Sequence, residues 1–218
     1  KKYNIQDWNS DYSTSLAKLD SLGWQNTSAI SATVSRDSRD NFYYPTSGSR
    51  LILYSELAGG VLGGDFNYFK QIAEASWYTQ TFWKLVLRTK WRMGYVTSYG
   101  GDKKDVPPDE RFYLGGTGAD GIRGYGDRSI GPIDGGKRDI IFSTEYTAPI
   151  SSDQIIGLIF FDAGNSFNTF EEFNFLDFKK GTGLGISIQS PLGLIGFDFA
   201  YNLELKTWEP HFQFGTNF

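Results

Sequence analysis

Polar and apolar residues alternate along most of this chain, and the stretch from Trp83 to Tyr95 shows the pattern most clearly. Its odd-numbered positions are mainly aromatic or aliphatic. Its even-numbered positions include four cations, Lys84, Arg88, Lys90 and Arg92. Because successive side chains of a strand point to opposite faces, a strand here has one apolar face and one cationic face. Aromatic residues near both ends of the apolar face are typical of a strand in a transmembrane β-barrel.

The same alternation, interrupted by glycine and other turn residues, predicts an all-β chain of ten antiparallel strands. The predicted strands are roughly 1–8, 27–37, 49–59, 67–80, 83–97, 138–149, 154–163, 181–190, 193–203 and 210–218. Their connections alternate in length. The short ones are Asp40–Gly48, Gln80–Phe82, Pro149–Asp153 and Ser190–Leu192, and the long ones are 9–26, 98–137, 164–180 and 204–209, with Gly60–Asp65 of modest length. Short turns on one side and longer loops on the other favour an outer-membrane barrel with periplasmic turns.

Composition narrows the class of protein further. The 218 residues include no cysteine, which excludes a disulfide framework and a thiolate metal site, and the net charge of −4 argues against a nucleic-acid surface. The longest apolar run, near Ile155–Phe161, is too short for a membrane helix. Gly116–Gly121 matches a dinucleotide-binding spacing but follows no strand-to-helix turn, and no nucleophile elbow accompanies His211, the single histidine, which we interpret as an interfacial residue. We therefore expect no enzyme activity, no cofactor and no metal.

The longest predicted connection, 98–137, contains the glycine-rich stretch GGTGADGIRGYGDRSIGP at 115–132. Flexible backbone near Arg123 allows a sharp turn and close packing against a wall. A forked guanidinium at such a tip suits insertion into a polar lumen, where it would meet carboxylates. The alternative is that Arg123 is a solvated loop arginine.

Several motifs in this order resemble the Omp85 superfamily, in particular its BamA-type branch. The stretch RFYLGG…IRGYGDRSIGP resembles the signature loop of that superfamily, in which an apolar residue precedes Arg-Gly-Phe/Tyr. Four further matches flank the loop: SRDSRDNFYYPTSGSRL (35–51), FFDAGNSF (160–167), GTGLGISIQSPLGLIGFDFAY (181–201) and the terminal FQFGTNF. The resemblance covers nearly the whole chain.

The resemblance implies a transmembrane antiparallel β-barrel of sixteen strands, of which this chain would supply about the last ten. Residues 1–218 would then form one C-terminal barrel portion of the bacterial surface antigen type, with the periplasmic POTRA domains and the early strands absent. The implied function is insertion of outer-membrane β-barrel proteins. Two alternatives remain: a two-partner secretion pore that exports one passenger, and the barrel anchor of a patatin-like phospholipase.

The resemblance also assigns roles to individual residues. Arg123, with Gly124 and Tyr125, would anchor the loop in the lumen by meeting Glu145 and Asp162. The alternation supports Glu145, which lies on the polar face of its strand, but it does not support Asp162, which shares a face with Leu158 and Phe160.

The last strand would form a lateral seam and carry the C-terminal assembly signal through Phe212, Phe214, Gly215 and Phe218. Gly215 would either let this strand kink inward or merely relieve crowding inside the barrel. The four cations Lys84, Arg88, Lys90 and Arg92 would line the lumen, with guidance of substrate as a second possible role.

The implied location is the outer membrane of a Gram-negative bacterium, as an integral multi-pass protein. The implied partners are unfolded outer-membrane proteins, the lipid bilayer, lipopolysaccharide and accessory assembly lipoproteins, and we expect no nucleic acid.

Overall fold

The computed structural model describes residues 25–42, 44–101, 105–151, 155–190 and 193–214. These residues form one antiparallel sheet whose nine strands are hydrogen-bonded in chain order. The strands are β1 (Ala29–Asp37), β2 (Ser47–Ala58), β3 (Tyr68–Gln80), β4 (Val86–Ser98), β5 (Arg138–Ser151), β6 (Ile155–Phe167), β7 (Lys179–Ser190), β8 (Gly193–Asn202) and β9 (Thr207–Phe214). Only short 3-10 turns accompany them in the described part of the chain, and none of these helices is long and apolar enough to cross a membrane.

The predicted all-β antiparallel architecture is therefore confirmed, and nine of the ten predicted strands are present within a few residues of their expected bounds. The tenth, predicted at 1–8, lies outside the described residues. β4 begins at Val86 rather than at Trp83, because residues 81–85 form the turn that joins it to β3, and β6 continues to Phe167, four residues beyond its predicted end.

The two faces of the sheet differ in burial as the alternation predicts. In β4 the even positions Arg88, Lys90 and Arg92 are buried, whereas Trp91 and Met93 on the other face are 45% and 53% exposed. Other strands repeat this, and their exposed apolar positions include Leu53, Trp77, Ile159, Leu184, Phe197 and Phe212. The exposed apolar face is suited to contact lipid, and the opposite face is the wall of an interior space, here called the lumen.

The connection between β4 and β5, described at 99–101 and 105–137, lies on the lumen side and packs two small apolar cores against the wall. One core joins Val106 and Phe112 of the connection to Ala58, Tyr68 and Val96. The second joins Leu114, Ile122, Tyr125 and Ile130 to Ile141 of β5. Burial of these apolar side chains between the wall and the connection, here called the lumen loop, holds the loop on the lumen side of the sheet.

Candidate functional site

The centre of the lumen loop is Arg123, whose guanidinium contacts three carboxylates from three strands. Its Nε and Nη2 donate to Asp162 of β6 at 2.7 and 2.9 Å, a bidentate arrangement. Its Nη1 donates to Glu145 of β5 at 2.7 Å and to Asp198 of β8 at 3.0 Å. Charge-assisted, forked contacts of this kind are the strong class of side-chain hydrogen bond.

This cluster is almost fully shielded from solvent. Arg123 and Glu145 are each 4% exposed, and Asp162 and Asp198 are each 1% exposed. The guanidinium also lies 3.5 Å from the centroid of the Phe160 ring, which covers it from the strand side. Burial alone disfavours the charged form of Arg123, but the carboxylates, Asp162 first and then Glu145, outweigh it, and the pKa of the guanidinium is raised.

The structure thus brings Arg123, Glu145 and Asp162 together, as the resemblance implies. Asp162 lies on the buried face with Phe160 because this part of the wall packs against the loop rather than against water. Asp198 is a third partner, and nothing in the sequence linked it to Arg123. Oδ2 of Asp198, which accepts from Arg123, also accepts from the side-chain amide nitrogen of Gln213 in β9.

Gly124 and Tyr125 continue the contact across the lumen. The Gly124 N–H donates to Nε2 of His211 at 2.8 Å, and its carbonyl accepts from the side chain of buried Asn202 at 2.7 Å. Gly124 has a φ of +91°, and an added Cβ would come within 3.2 Å of the Asn202 backbone nitrogen. The Tyr125 hydroxyl accepts from the Lys180 N–H at 3.3 Å. Five consecutive strands, from β5 to β9, therefore meet one tripeptide.

His211 is consequently not an interfacial residue, and that interpretation of the sequence was wrong. Its side chain is half-buried on the lumen face, alternating with the exposed Phe212, and it accepts a backbone hydrogen bond from the lumen loop. The period-2 pattern of β9 could have placed it there, because it is two residues before Gln213 on the polar face.

The lumen face of β7 explains how the loop backbone comes so near the wall. Gly181 directly faces Arg123, and an added Cβ would lie 1.8 Å from the Arg123 carbonyl oxygen. No side chain fits in that space without moving the loop. Gly183 and Gly185 continue the same face of the strand, so β7 presents mainly backbone to the lumen at this level.

Three of the four predicted lumen cations lie on the lumen face, and two of them bind the loop. Lys90 donates to the Ala119 carbonyl at 3.2 Å, and Arg92 pairs with Asp120 at 2.9 Å and also with Asp139 and Glu74. Arg88 lies over the Tyr44 ring at 4.8 Å, with its Nη1 3.9 Å from Glu145. The expectation for Lys84 was wrong, because this exposed residue belongs to the turn 81–85 and precedes β4.

In the last strand, Phe212 and Phe214 are 68% and 65% exposed on the lipid-facing side. Gly215 and Phe218 lie outside the described residues. Among the residues with assigned positions, no group of His, Asp and Glu side chains is arranged to hold a metal ion.

Comparisons of the chain with known proteins agree on one family. The model of the Omp85 superfamily domain matches residues 1–218. The chain is 32% identical over 212 residues to the outer membrane protein assembly factor BamA of Nitratidesulfovibrio vulgaris, which covers 93% of this chain and 26% of that protein. It is 35% identical over 105 residues to the sorting and assembly machinery component 50 homolog A of Xenopus laevis, which covers 48% of this chain and 21% of that protein. The chain therefore spans about a quarter of the length of these relatives.

The fold has a solved counterpart. The crystal structure of BamA from Haemophilus ducreyi lacking POTRA domains 1–3 superposes with a TM-score of 0.70 over 85% of this chain and 40% of that chain, at 24% identity. At that level of identity the likeness speaks for the fold. The nine described strands correspond to part of a barrel wall.

Proposed function

This chain belongs to the Omp85 superfamily, and we propose that it is the C-terminal barrel portion of a factor that inserts β-barrel proteins into a bacterial outer membrane. The observation that carries the proposal is the 32% identity, over 93% of the chain, to a protein named as an outer membrane assembly factor. The buried contacts of Arg123 support the proposal, because they place the loop signature of the family in a shielded cluster with three carboxylates of the wall. In this proposal the POTRA domains and the early strands precede residue 1 in the full-length protein.

The lumen loop acts as a plug that braces the wall. Arg123 joins β5, β6 and β8, Tyr125 adds β7, Gly124 adds β9, and Lys90 and Arg92 add β4. A plug that touches every strand from β4 to β9 fixes the curvature of the wall, so that the barrel can change at its seam without collapsing elsewhere. This assigns Lys90 and Arg92 to holding the loop in preference to guiding substrate.

Insertion itself proceeds by strand templating and requires no covalent chemistry. An exposed strand edge pairs with an incoming strand through main-chain hydrogen bonds. We place the seam at the last strand, where Phe212 and Phe214 face lipid, with Gly215 allowing that strand to bend inward and Phe218 completing the C-terminal signal. The substrates are unfolded outer-membrane proteins. Lipopolysaccharide, the bilayer and accessory lipoproteins are the further partners.

The direct test is reconstitution of the full-length protein into phospholipid vesicles, followed by addition of urea-denatured barrel substrates. Folding is read from the fraction of each substrate that migrates as a folded, heat-modifiable band. We expect faster folding of several unrelated barrels than in empty vesicles. Arg123→Ala should slow this reaction, whereas Arg128→Ala, an exposed change in the same loop, should not.

The same assay separates the alternatives. A secretion pore would leave the folding of unrelated barrels unchanged and would translocate one passenger. A barrel anchor of a phospholipase would release fatty acid from the vesicles through a domain outside this chain. Either result, without faster barrel folding, would contradict the proposal.

The seam has a test of its own. A cysteine pair joining the last strand to the first strand of the full-length barrel should stop substrate folding when it is oxidised and restore folding when it is reduced. Full activity of the completely crosslinked protein would refute templating at this seam while leaving the assembly function itself in place.

A further inference from the structure

A groove of about 440 Å³ crosses the lipid-facing side of β1 to β4, on the opposite face of the wall from the lumen loop. Its volume is within the range of small-ligand clefts, roughly 300–1,000 Å³. The floor is formed by Ala73 and Ala75 of β3. The pairing register places Ala75 between Leu51 and Trp91, and Ala73 between Leu53 and Met93. Two small residues between four large ones make a depression in an otherwise bulky apolar surface.

One end of this groove carries a cation. Arg36 is exposed, pairs in register with Leu51, and lies one residue before the end of β1 on the side of the short turns. Its guanidinium makes no hydrogen bond or ion pair with any residue in the described ranges. A cationic side chain on the lipid face of a barrel is destabilising toward the bilayer centre and becomes acceptable near the headgroups. Arg36 is therefore suited to the headgroup level.

The acidic residues nearest in sequence and register do not neutralise this cation. Glu74 also borders the groove, but its carboxylate lies on the lumen side, where it pairs with Arg92 at 3.3 Å. The Asp37 carboxylate is instead paired with Arg39, whose Nε and Nη2 donate to it at 2.9 and 2.7 Å. Since both carboxylates pair with other cations, the positive charge of Arg36 can bind an anionic ligand from the membrane.

We propose that this groove is a binding site for an anionic phospholipid, with one acyl chain on the two alanines and the phosphate at Arg36. The apolar floor and walls match an acyl chain, and the single cation at one end matches a phosphodiester. The lipid comes from the leaflet on the side of the short turns. The inference rests on the proposed membrane location but not on the assembly activity.

The test uses the full-length protein in detergent, incubated with equal amounts of phosphatidylglycerol and phosphatidylcholine that have the same acyl chains. Native mass spectrometry then counts the lipids retained by the folded protein. We expect wild-type protein to prefer phosphatidylglycerol by about fivefold, the effect of one basic side chain near a phosphate. Arg36→Gln should abolish the preference, and Arg36→Lys should keep most of it. Ala75→Leu, which fills the floor, should lower retention of both lipids.

Two matched controls lie outside the groove. Lys84→Gln removes a cation from a turn on the same side, and Ala148→Leu adds the same atoms to the lipid face of β5. Both should retain lipid as wild type does. Equal retention by Arg36→Gln and wild type, or equal loss in the controls, would overturn the proposal, and so would a preference for added lipid A over phosphatidylglycerol. Because no substrate protein is present, this result is independent of the assembly assay.

Discussion

Removal of the Arg123 side chain should open the lumen loop. The guanidinium makes four side-chain hydrogen bonds to Asp162, Glu145 and Asp198, all of them buried. Arg123→Ala leaves three carboxylates together without their cation, and breaking a buried ion pair in this way costs about 3–5 kcal/mol. The neighbouring contacts of Gly124 with His211 and Asn202 are worth only about 1 kcal/mol each. Arg123 thus contributes more to docking of the loop than either hydrogen bond of Gly124.

The expected magnitude follows from those energies. At 1.36 kcal/mol for each factor of ten, the open population of the loop should increase by roughly 10²-fold to 5 × 10³-fold. Hydrogen–deuterium exchange of the full-length protein in nanodiscs measures this in peptides that span 112–130. The N–H groups of Arg123 and Gly124 report directly, because they donate to Asp162 and His211 in the docked state.

Two variants make the result specific. Arg123→Lys keeps a charge but cannot form the fork, so its exchange should be intermediate. Arg128→Ala removes an exposed arginine that only lies over Tyr113 at 4.0 Å, an interaction worth about 0.5–1 kcal/mol, and should have little effect. Unchanged exchange in Arg123→Ala, or an equal increase in Arg128→Ala, would refute the view that this cluster holds the loop.

Three further predictions concern the wall and one turn. Gly181→Ala should displace the loop, because the added Cβ would lie 1.8 Å from the Arg123 carbonyl oxygen, and protease cleavage of the loop should increase. Gly196→Ala is the control that should leave cleavage unchanged, because the atom nearest to its added Cβ is 3.3 Å away. Asn202→Ala should lower the stability of the folded barrel in urea by about 1–3 kcal/mol, because the buried Gly124 carbonyl and the N–H groups of Glu204 and Leu205 lose their hydrogen bonds to its amide. Lys179→Ala should cost less than about 1 kcal/mol, because its pair with Glu204 is largely solvated. In the turn 38–46, burial opposes ionisation of Asp40, but hydrogen bonds from Thr46 and Ser47 outweigh it and lower its pKa to about 2 from 3.8. The ionised Asp40 carboxylate therefore stabilises the turn fully above its unfolded pKa, and this stabilisation is lost as the pH falls from about 4 towards 2. Hydrogen exchange of the turn should increase over that pH range in wild type and should not increase in Asp40→Asn.

Strand positions were predictable because the period of two depends only on which face meets lipid. In β4 this period is visible from the sequence alone, because apolar Trp91 and Met93 alternate with the cations Arg88, Lys90 and Arg92. The alternation of polar and apolar residues becomes ambiguous where the lumen face contacts the loop instead of water. Phe160 and Asp162 share the lumen face because the loop covers them, and no local rule distinguishes that face from a lipid-facing one.

The carboxylate cluster was only partly predictable for a different reason. Glu145, Asp162 and Asp198 are far apart in the chain, and only the register of four strands places them around one guanidinium. The family resemblance supplied the first two, and nothing in the sequence supplied the third. His211 was misjudged because a single histidine near the end of a strand pattern gives no sign of a backbone donor 87 residues away.

The most direct test of the proposed role is depletion of the full-length protein in its own bacterium, followed by quantitative proteomics of the outer membrane. Our account predicts a broad decrease across unrelated β-barrel proteins, restored by the wild-type gene and by Arg128→Ala but poorly by Arg123→Ala. Loss of one secreted passenger, with the other barrels at normal levels, would contradict it.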